Sequence, residues 1–374
     1  MRTPGAHRIL NETMEARPYI GGQAVLEGVM MRSPGSFAVV VRRRDGSLSV
    51  RERVMPGGRT GLAKLPFFRG VASLVESLRL GSEALRYSVD QVQRDWGDDA
   101  PTPPTALASL LRAIGYQLFL LASVDGSPKD GDKTDKAQRG IGPMLVIMVA
   151  FLIALPQLTA YLMMKIFHVD WSVTSVQFQV LTGTMKLTIV LGYLLLIRRM
   201  ADIRRVFQYH GAEHKTITTY EANEPLDVAH ARTKTTLHPR CGTTFLVMIV
   251  IISVVLFTIL GAFLPVRLTS SRLLDNALFF LVKLPTLPLL AAITFEIQRL
   301  FARYCTTGPL RALLVPGFLV QRITTIEPDD DQLEVALASL RATLFREQGH
   351  AGDGSADIVF PTYAAISAAP SLRA

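Results

Sequence analysis

The chain has 374 residues, and 49% of them are hydrophobic, which together with a mean hydropathy of +0.29 is typical of a protein partly embedded in a membrane. The net charge is +9, but no basic stripe interleaved with aromatic residues accompanies it. We therefore expect the lipid bilayer, and no nucleic acid, as the partner of the excess Lys and Arg. The two cysteines, Cys241 and Cys305, do not indicate a disulfide framework.

The N-terminal part of the sequence predicts a small α+β unit over residues 19–91. Phe37–Arg42 and Leu48–Val54 have the pattern of strands, and the Asp45-Gly46 pair between them is a typical hairpin turn. An amphipathic helix follows the hairpin. Its apolar face is expected to cover the hairpin, with the membrane surface as the alternative location.

Four further segments are predicted outside the membrane-spanning part. We expect a loose N-terminus at 1–18, a linker at 92–142, a C-terminal helical segment at 301–349 and a disordered tail at 350–374. The linker contains an apolar stretch at 107–123 with Arg112 in its middle. A charge at the bilayer centre is costly, so we expect this stretch to be an interfacial helix.

Four apolar stretches within residues 143–300 each approach the ~20 residues that a helix needs to cross a bilayer. We therefore predict a four-helix transmembrane domain over these residues. Lys and Arg flank loop 198–243 on both sides, whereas loop 168–180 has none. Since these residues concentrate on the cytoplasmic side of membranes, we expect a multi-pass membrane protein with both termini and loop 198–243 in the cytoplasm. The predicted spans are Met144–Phe167, Leu181–Ile197, Thr244–Leu264 and Ala277–Phe295.

Two lysines, Lys186 and Lys283, lie within the second and fourth predicted spans. Both are expected nearer the outer end of their span, where a long side chain can reach the interface. The alternative is a functional polar pair inside the bundle, because charged residues within spans mark substrate and ion pathways. Such a pair, together with prolines in the fourth span, would favour a transporter.

Loop 198–243 contains the pattern HGAEH, in which His210 and His214 are four residues apart. On a helix that continues from the second span, the two imidazoles lie on one face and can share a metal ion. Glu213 lies beside them, and H-x-x-E-H is the inverted form of a zinc-protease helix motif. In that chemistry the glutamate is the general base. We therefore predict His210 and His214 as metal ligands and Glu213 as the catalytic residue.

A second motif, H-x-x-C, places His238 and Cys241 directly before the third span. The second and third spans are antiparallel neighbours, so the ends that loop 198–243 joins are expected to be close. Imidazole and thiolate groups suit zinc, and we predict that His238 and Cys241 complete the metal site. In the alternative reading, the histidines only stabilise a helix C-terminus and Cys241 is a small buried residue.

With these motifs, the chain resembles the YqhQ-like family of bacterial membrane proteins, which carry a domain of unknown function. The resemblance covers most of residues 19–345 and depends on several motifs in the same order. It implies a multi-pass protein of the bacterial inner (plasma) membrane that is a predicted metal-dependent enzyme. The segments that carry it are Ile20–Pro34, Tyr209–Ile217, His238–Phe245 and Pro316–Ala336.

Taken together, the sequence predicts a mainly α membrane protein with about four transmembrane helices, a small α+β cytoplasmic N-terminal unit and a C-terminal cytoplasmic helix. As its function we expect a zinc-dependent hydrolase whose site lies at the cytoplasmic membrane face. The first alternative is a non-catalytic membrane scaffold or partner-binding protein, in which a structural metal or a hydrogen-bond cluster ties two spans together. The second alternative is a transporter.

Overall fold

The computed structural model describes residues 17–55, 65, 68–96, 150–265, 269–305, 308–348 and 357–369. Within these residues the protein is mainly helical and contains an antiparallel sheet. Most of the predicted segments 1–18 and 92–142, with the interfacial helix at 107–123, lies outside the described residues, and those expectations stay predictions.

The strands and helices are numbered here in chain order. The strands are Gly21–Val25 (β1), Gly28–Arg32 (β2), Ser36–Arg42 (β3), Leu48–Val54 (β4) and Ile358–Phe360 (β5). The helices are Phe68–Trp96 (α1), Leu155–Ile166 (α2), Val176–Ile197 (α3), Ala201–Glu221 (α4), Val228–Arg232 (α5), Gly242–Ala262 (α6), Arg272–Lys283 (α7), Leu287–Tyr304 (α8), Val315–Thr324 (α9), Asp330–Glu347 (α10) and Tyr363–Ala368 (α11). A π-helical turn, Ala150–Ala154, precedes α2, and 3-10 turns at Leu284–Thr286 and Pro309–Leu314 precede α8 and α9.

The sheet is an antiparallel meander in the order β1-β2-β3-β4-β5. The predicted hairpin is confirmed, because β3 and β4 pair and Gly46 adopts a φ of 85° in the turn between them. The glycine-rich segment before it forms another hairpin, β1 with β2, which the sequence analysis did not predict. Its turn contains Glu27 in a left-handed conformation, with a φ of 51°.

Helices cover both faces of the sheet. On one face, Leu80, Ala84 and Tyr87 of α1 are buried against strand residues such as Val39, and the Tyr87 hydroxyl lies 2.7 Å from Ser49 Oγ. On the opposite face, α4 and α10 bury apolar side chains against the same strands. This double cover explains why the strands are buried on both sides and do not alternate between apolar and polar residues.

The C-terminal part of the chain belongs to this sheet unit, which corrects the separation expected between residues 19–91 and 301–349. Leu337 and Leu340 of α10 are fully buried in the core that the sheet shares with α4. Residues 357–369 also differ from the disorder expected at 350–374, because β5 pairs with β4 and Ile366 of α11 is fully buried. A three-residue strand and a six-residue helix are too short to show a periodic pattern in the sequence.

Within the described residues, three helices are long and apolar enough to cross a membrane: α3, α6 and the continuous helical segment Arg272–Phe301, which consists of α7, a 3-10 turn and most of α8. Many of their exposed side chains are large and apolar, for example Leu195 and Val255. These helices confirm that the chain has candidate membrane spans. The first predicted span, Met144–Phe167, begins outside the described residues, and its described part is a shorter apolar helix, Ala150–Ile166. A membrane crossing by this first segment, the total of four spans and the orientation in the membrane therefore stay predictions.

Candidate metal centre

Helix α4 carries the two histidines of the H-x-x-E-H motif. It is separated from α3 by a turn at Arg198–Met200, so the second span does not continue directly into it as the sequence suggested. The spacing argument still applies, because His210 and His214 lie one helical turn apart within α4. Both are buried, at 4% and 2% exposure, and their ring centroids are 4.4 Å apart.

Cys241 meets these histidines from the start of α6, where it is the N-cap residue. Its Sγ lies 3.3 Å from His210 Nε2. Among the described residues, the ligand atoms of His210, His214 and Cys241 all lie within 4.8 Å of one another. Two imidazoles and a thiol that converge in this way fit a tetrahedral zinc site, to which they would supply three of the four ligands. Whether they bind a metal stays a prediction.

Backbone carbonyl groups hold both imidazoles in one orientation. His210 Nδ1 donates to Thr324 O at 2.9 Å, and His214 Nδ1 donates to Thr236 O at 2.5 Å. A carbonyl can only accept, so in each neutral ring the proton is on Nδ1 and the lone pair is on Nε2. Metal-binding histidines are commonly oriented by such a hydrogen bond.

Burial keeps the two imidazoles neutral. It lowers the pKa of His210 to about 4, and it lowers the pKa of His214 well below its ordinary value, with a further contribution from the neighbouring histidines. A neutral imidazole has a free lone pair and is the form that binds a metal. The electrostatics of the cluster therefore favour ligand binding over protonation.

His238 lies at the edge of this group and is not one of the three close ligands. Its ring centroid is 5.6 Å from that of His214, and its Nε2 lies 3.3 Å from Glu221 Oε2. The side-chain amide of Gln321 holds the His238 backbone, accepting from its N–H and donating to its carbonyl at 2.8 Å each. His238 thus lies beside the cluster, and its Nε2 is within hydrogen-bond distance of the Glu221 carboxylate.

Glu213 is buried at 5% exposure and packs against the sheet. A Cβ atom added to Gly22 of β1 would come within 2.7 Å of Glu213 Cγ, so the absence of a side chain at Gly22 allows this close approach. The carboxylate of Glu213 is outside the group of three close ligands. Its predicted role as general base is compatible with that position and stays a prediction.

Several residues that shape the cluster were not found by sequence reasoning. Thr236, Gln321 and Thr324 contribute through backbone carbonyls or an amide and have no distinctive spacing. Gly211 offered a signal, because it lies inside the motif. A Cβ there would lie 2.2 Å from Ile326 O, so glycine lets the segment after α9 pass close to α4.

Comparisons with known proteins agree with the resemblance seen in the sequence. The chain is 29% identical to the uncharacterised protein YqhQ of Bacillus subtilis over 330 residues, which cover 87% of this chain and 92% of that protein. No solved structure matches it significantly. The profile of the DUF1385 family, described as proteins of unknown function, matches residues 65–346. The chain therefore belongs to the DUF1385 family of proteins of unknown function.

Proposed function

We propose that this protein is a membrane-bound, zinc-dependent hydrolase with its metal at His210, His214 and Cys241. The observation that carries the proposal is the convergence of three buried ligand atoms within 4.8 Å, with both imidazoles turned by carbonyl groups so that Nε2 carries a lone pair. Three protein ligands leave a fourth position for water or substrate, as catalytic zinc sites require.

A zinc ion in such a site acts as a Lewis acid and lowers the pKa of water. In the proposed reaction His210, His214 and Cys241 would hold the metal in a fixed position. Glu213 follows His210 by three residues on the same helix, and its carboxylate would receive the proton of the attacking water. The burial of all four side chains excludes bulk water from the site.

The site is proposed to face the cytoplasm at the inner edge of a bacterial membrane. Cys241 is the N-cap residue of the apolar helix α6, so the cluster lies at one end of a candidate span. The Lys and Arg residues that flank 198–243 support a cytoplasmic position for that end, together with both termini.

Metal analysis of the detergent-purified protein tests the proposal. About one zinc per chain is expected from a single mononuclear site. The double variant His210→Ala, His214→Ala should lose it, whereas His230→Ala should keep it, because His230 is a half-exposed histidine bonded to Asp227. No zinc in the wild-type protein after metal-free purification and zinc reconstitution would refute the proposal.

Glu213→Gln separates catalysis from metal binding. This variant should keep zinc and lose function in cells, because glutamine cannot accept the proton. Full function of Glu213→Gln in a strain that lacks the native gene would contradict the role of general base and leave the metal site standing.

A second candidate is a structural metal clamp that joins α4 to α6. The observation in its favour is His238, whose ring lies 5.6 Å from that of His214 and could provide a fourth ligand that closes the site. For this candidate, zinc removal should lower the unfolding temperature strongly, while Glu213→Gln should have no effect on function.

A further inference from the structure

A separate polar cluster lies inside the bundle of candidate membrane helices. Lys186 is midway along α3 and is 7% exposed, and Lys283 at the end of α7 is 1% exposed. The expected reach of these lysines to the outer interface is therefore corrected. The reason is that α3 begins at Val176, five residues before the predicted span, which moves Lys186 to the middle of the helix.

The two ammonium groups have neutral partners. Lys186 Nζ donates to Ser253 Oγ at 3.1 Å, and Lys283 Nζ donates to Gln157 Oε1 at 2.8 Å. Both nitrogens also face the ring of Phe257, at 5.9 and 4.8 Å from its centroid. The two lysines therefore lie beside the same aromatic ring.

Within the described part of the chain, neither lysine forms an ion pair with a carboxylate. The buried acid on the same helix as Lys283 is Asp275, which accepts hydrogen bonds from Thr269 N at 2.5 Å and Thr269 Oγ1 at 2.8 Å. Two like charges in a low-dielectric interior repel each other and lose their hydration. A buried lysine pair with neutral partners is thus stabilised by any anion that reaches it.

Hydrogen bonding determines how the amide groups around Lys283 are oriented. Because an ammonium group only donates, Gln157 must turn Oε1 toward Lys283 and Nε2 away from it. That Nε2 donates to Asn276 Oδ1 at 2.6 Å, so the Asn276 NH2 group must point away from Gln157. Asn276 Nδ2 is buried and has no hydrogen-bond partner among the described residues.

The structure therefore offers the hydrogen-bond donors of two buried lysines, and Asn276, on the same helix as Lys283, adds a buried donor that lacks an acceptor among the described residues. We propose that Lys186, Lys283 and Asn276 bind an oxyanion group, of the phosphate or carboxylate class, within the membrane bundle. A solute anion and the phosphate of a lipid head group share this chemistry. The site is independent of the proposed metal centre and of hydrolysis, and it gives the bundle a ligand of its own.

Equilibrium binding of inorganic phosphate, sulfate and acetate to the full-length protein in a phosphate-free maltoside detergent tests the site. At least one of these probes should bind saturably to the wild type. The double variant Lys186→Met, Lys283→Met should reduce the affinity at least tenfold, since both cationic donors are removed. Lys165→Met is the matched control, because Lys165 is an exposed lysine at the end of α2, and it should bind as the wild type does.

A second arm distinguishes the two sources of the anion. Phosphatidic acid in mixed micelles is titrated against the same three proteins. Binding of this lipid without binding of the free anions, lost in the double variant, would identify a head group as the ligand. Should the double variant fold poorly, Lys283→Gln alone, which keeps a polar amide at the position, should still weaken binding.

Two outcomes overturn the proposal. One is the absence of saturable binding of all four probes to the wild type. The other is unchanged affinity in a double variant that remains folded by circular dichroism. The zinc content of each protein is measured in parallel, because an intact metal centre in the double variant shows that a loss of anion binding is local.

Discussion

The His210/His214/Cys241 cluster and the Lys186/Lys283 cluster are both buried, but they present opposite kinds of atoms. In the first cluster, backbone carbonyls accept hydrogen bonds from Nδ1 of both histidines. The Nε2 lone pairs are therefore left near the Cys241 thiol. In the second, neutral acceptors hold two ammonium groups, and an amide donor is left over. Lone pairs fit a cation, and donors fit an anion.

The difference shows how the partners of a buried polar group decide what it can bind. A histidine whose Nδ1 is already bonded has one remaining role, that of an acceptor or metal ligand. A lysine has no acceptor atom, so each amide near it is forced into one orientation. Substitutions that remove or reverse these hydrogen-bonding properties test the difference between the two clusters.

The largest effect is expected for Cys241→Ser. A hydroxyl is a much poorer zinc ligand than a thiolate, and even supporting residues change metal affinity by roughly 10–100-fold, so a loss on the order of 100-fold or more is expected. Competition with a zinc chelator measures it. Cys305→Ser is the control, because Cys305 is also buried but lies outside the cluster. Equal zinc affinity in both variants would remove the thiol from the metal centre.

Gln157→Glu should weaken anion binding, because it places a negative charge next to Lys283. The new carboxylate would lie where Gln157 Oε1 is now, 2.8 Å from Lys283 Nζ, and would compete with any bound oxyanion. At least a tenfold drop in the affinity for the anionic probes is expected. Gln157→Met, which adds no charge, should have a smaller effect, and stronger binding in Gln157→Glu would contradict the donor-site interpretation.

Gly22→Ala should destabilise the protein by about 1–3 kcal/mol, the usual cost of overpacking a buried site. The added Cβ would lie 2.7 Å from Glu213 Cγ, and Glu213 has little room to move. Chemical denaturation followed by circular dichroism measures the change. Gly192→Ala in α3 is the matched control, since no atom lies within 4 Å of its added Cβ, and it should be neutral or slightly stabilising.

The smallest effect is expected for Arg205→Ala. Arg205 pairs with Glu27 in the β1–β2 turn, but its side chain is 48% exposed, and an ion pair in contact with water contributes under about 1 kcal/mol. Denaturation midpoints of the variant and wild type should therefore nearly coincide. A large loss of stability would mean that polar pairs outside the buried clusters also hold the sheet to α4.

Local patterns in the sequence were sufficient for part of this structure. Two strand-like segments and the Asp45-Gly46 turn between them identified the β3–β4 hairpin, and the four-residue spacing placed His210 and His214 on one helical face. Long apolar runs identified the candidate spans. Each of these features is set by residues close together in the chain, which is why periodicity and turn chemistry reveal them.

Contacts between distant parts of the chain could not be predicted in the same way. The packing of α10 on the sheet joins residues about 300 positions apart, as in the 2.7 Å hydrogen bond from Ser36 Oγ to Thr343 O. The carbonyls that orient the histidines carry no side-chain signal. The position of Lys186 along α3 could not be predicted either, because α3 begins at Val176 and apolar composition alone does not mark that start.

The assembly of the sheet from separate parts of the chain has a consequence for biosynthesis. Strands β1 to β4 are made early, whereas α10, which covers Val29, Met31 and Val40, is made only after every apolar helix. A nascent or truncated chain therefore exposes an apolar sheet face, the kind of surface that chaperones and proteases recognise. Closure of this face therefore requires a chain that extends past all the candidate spans of the described residues.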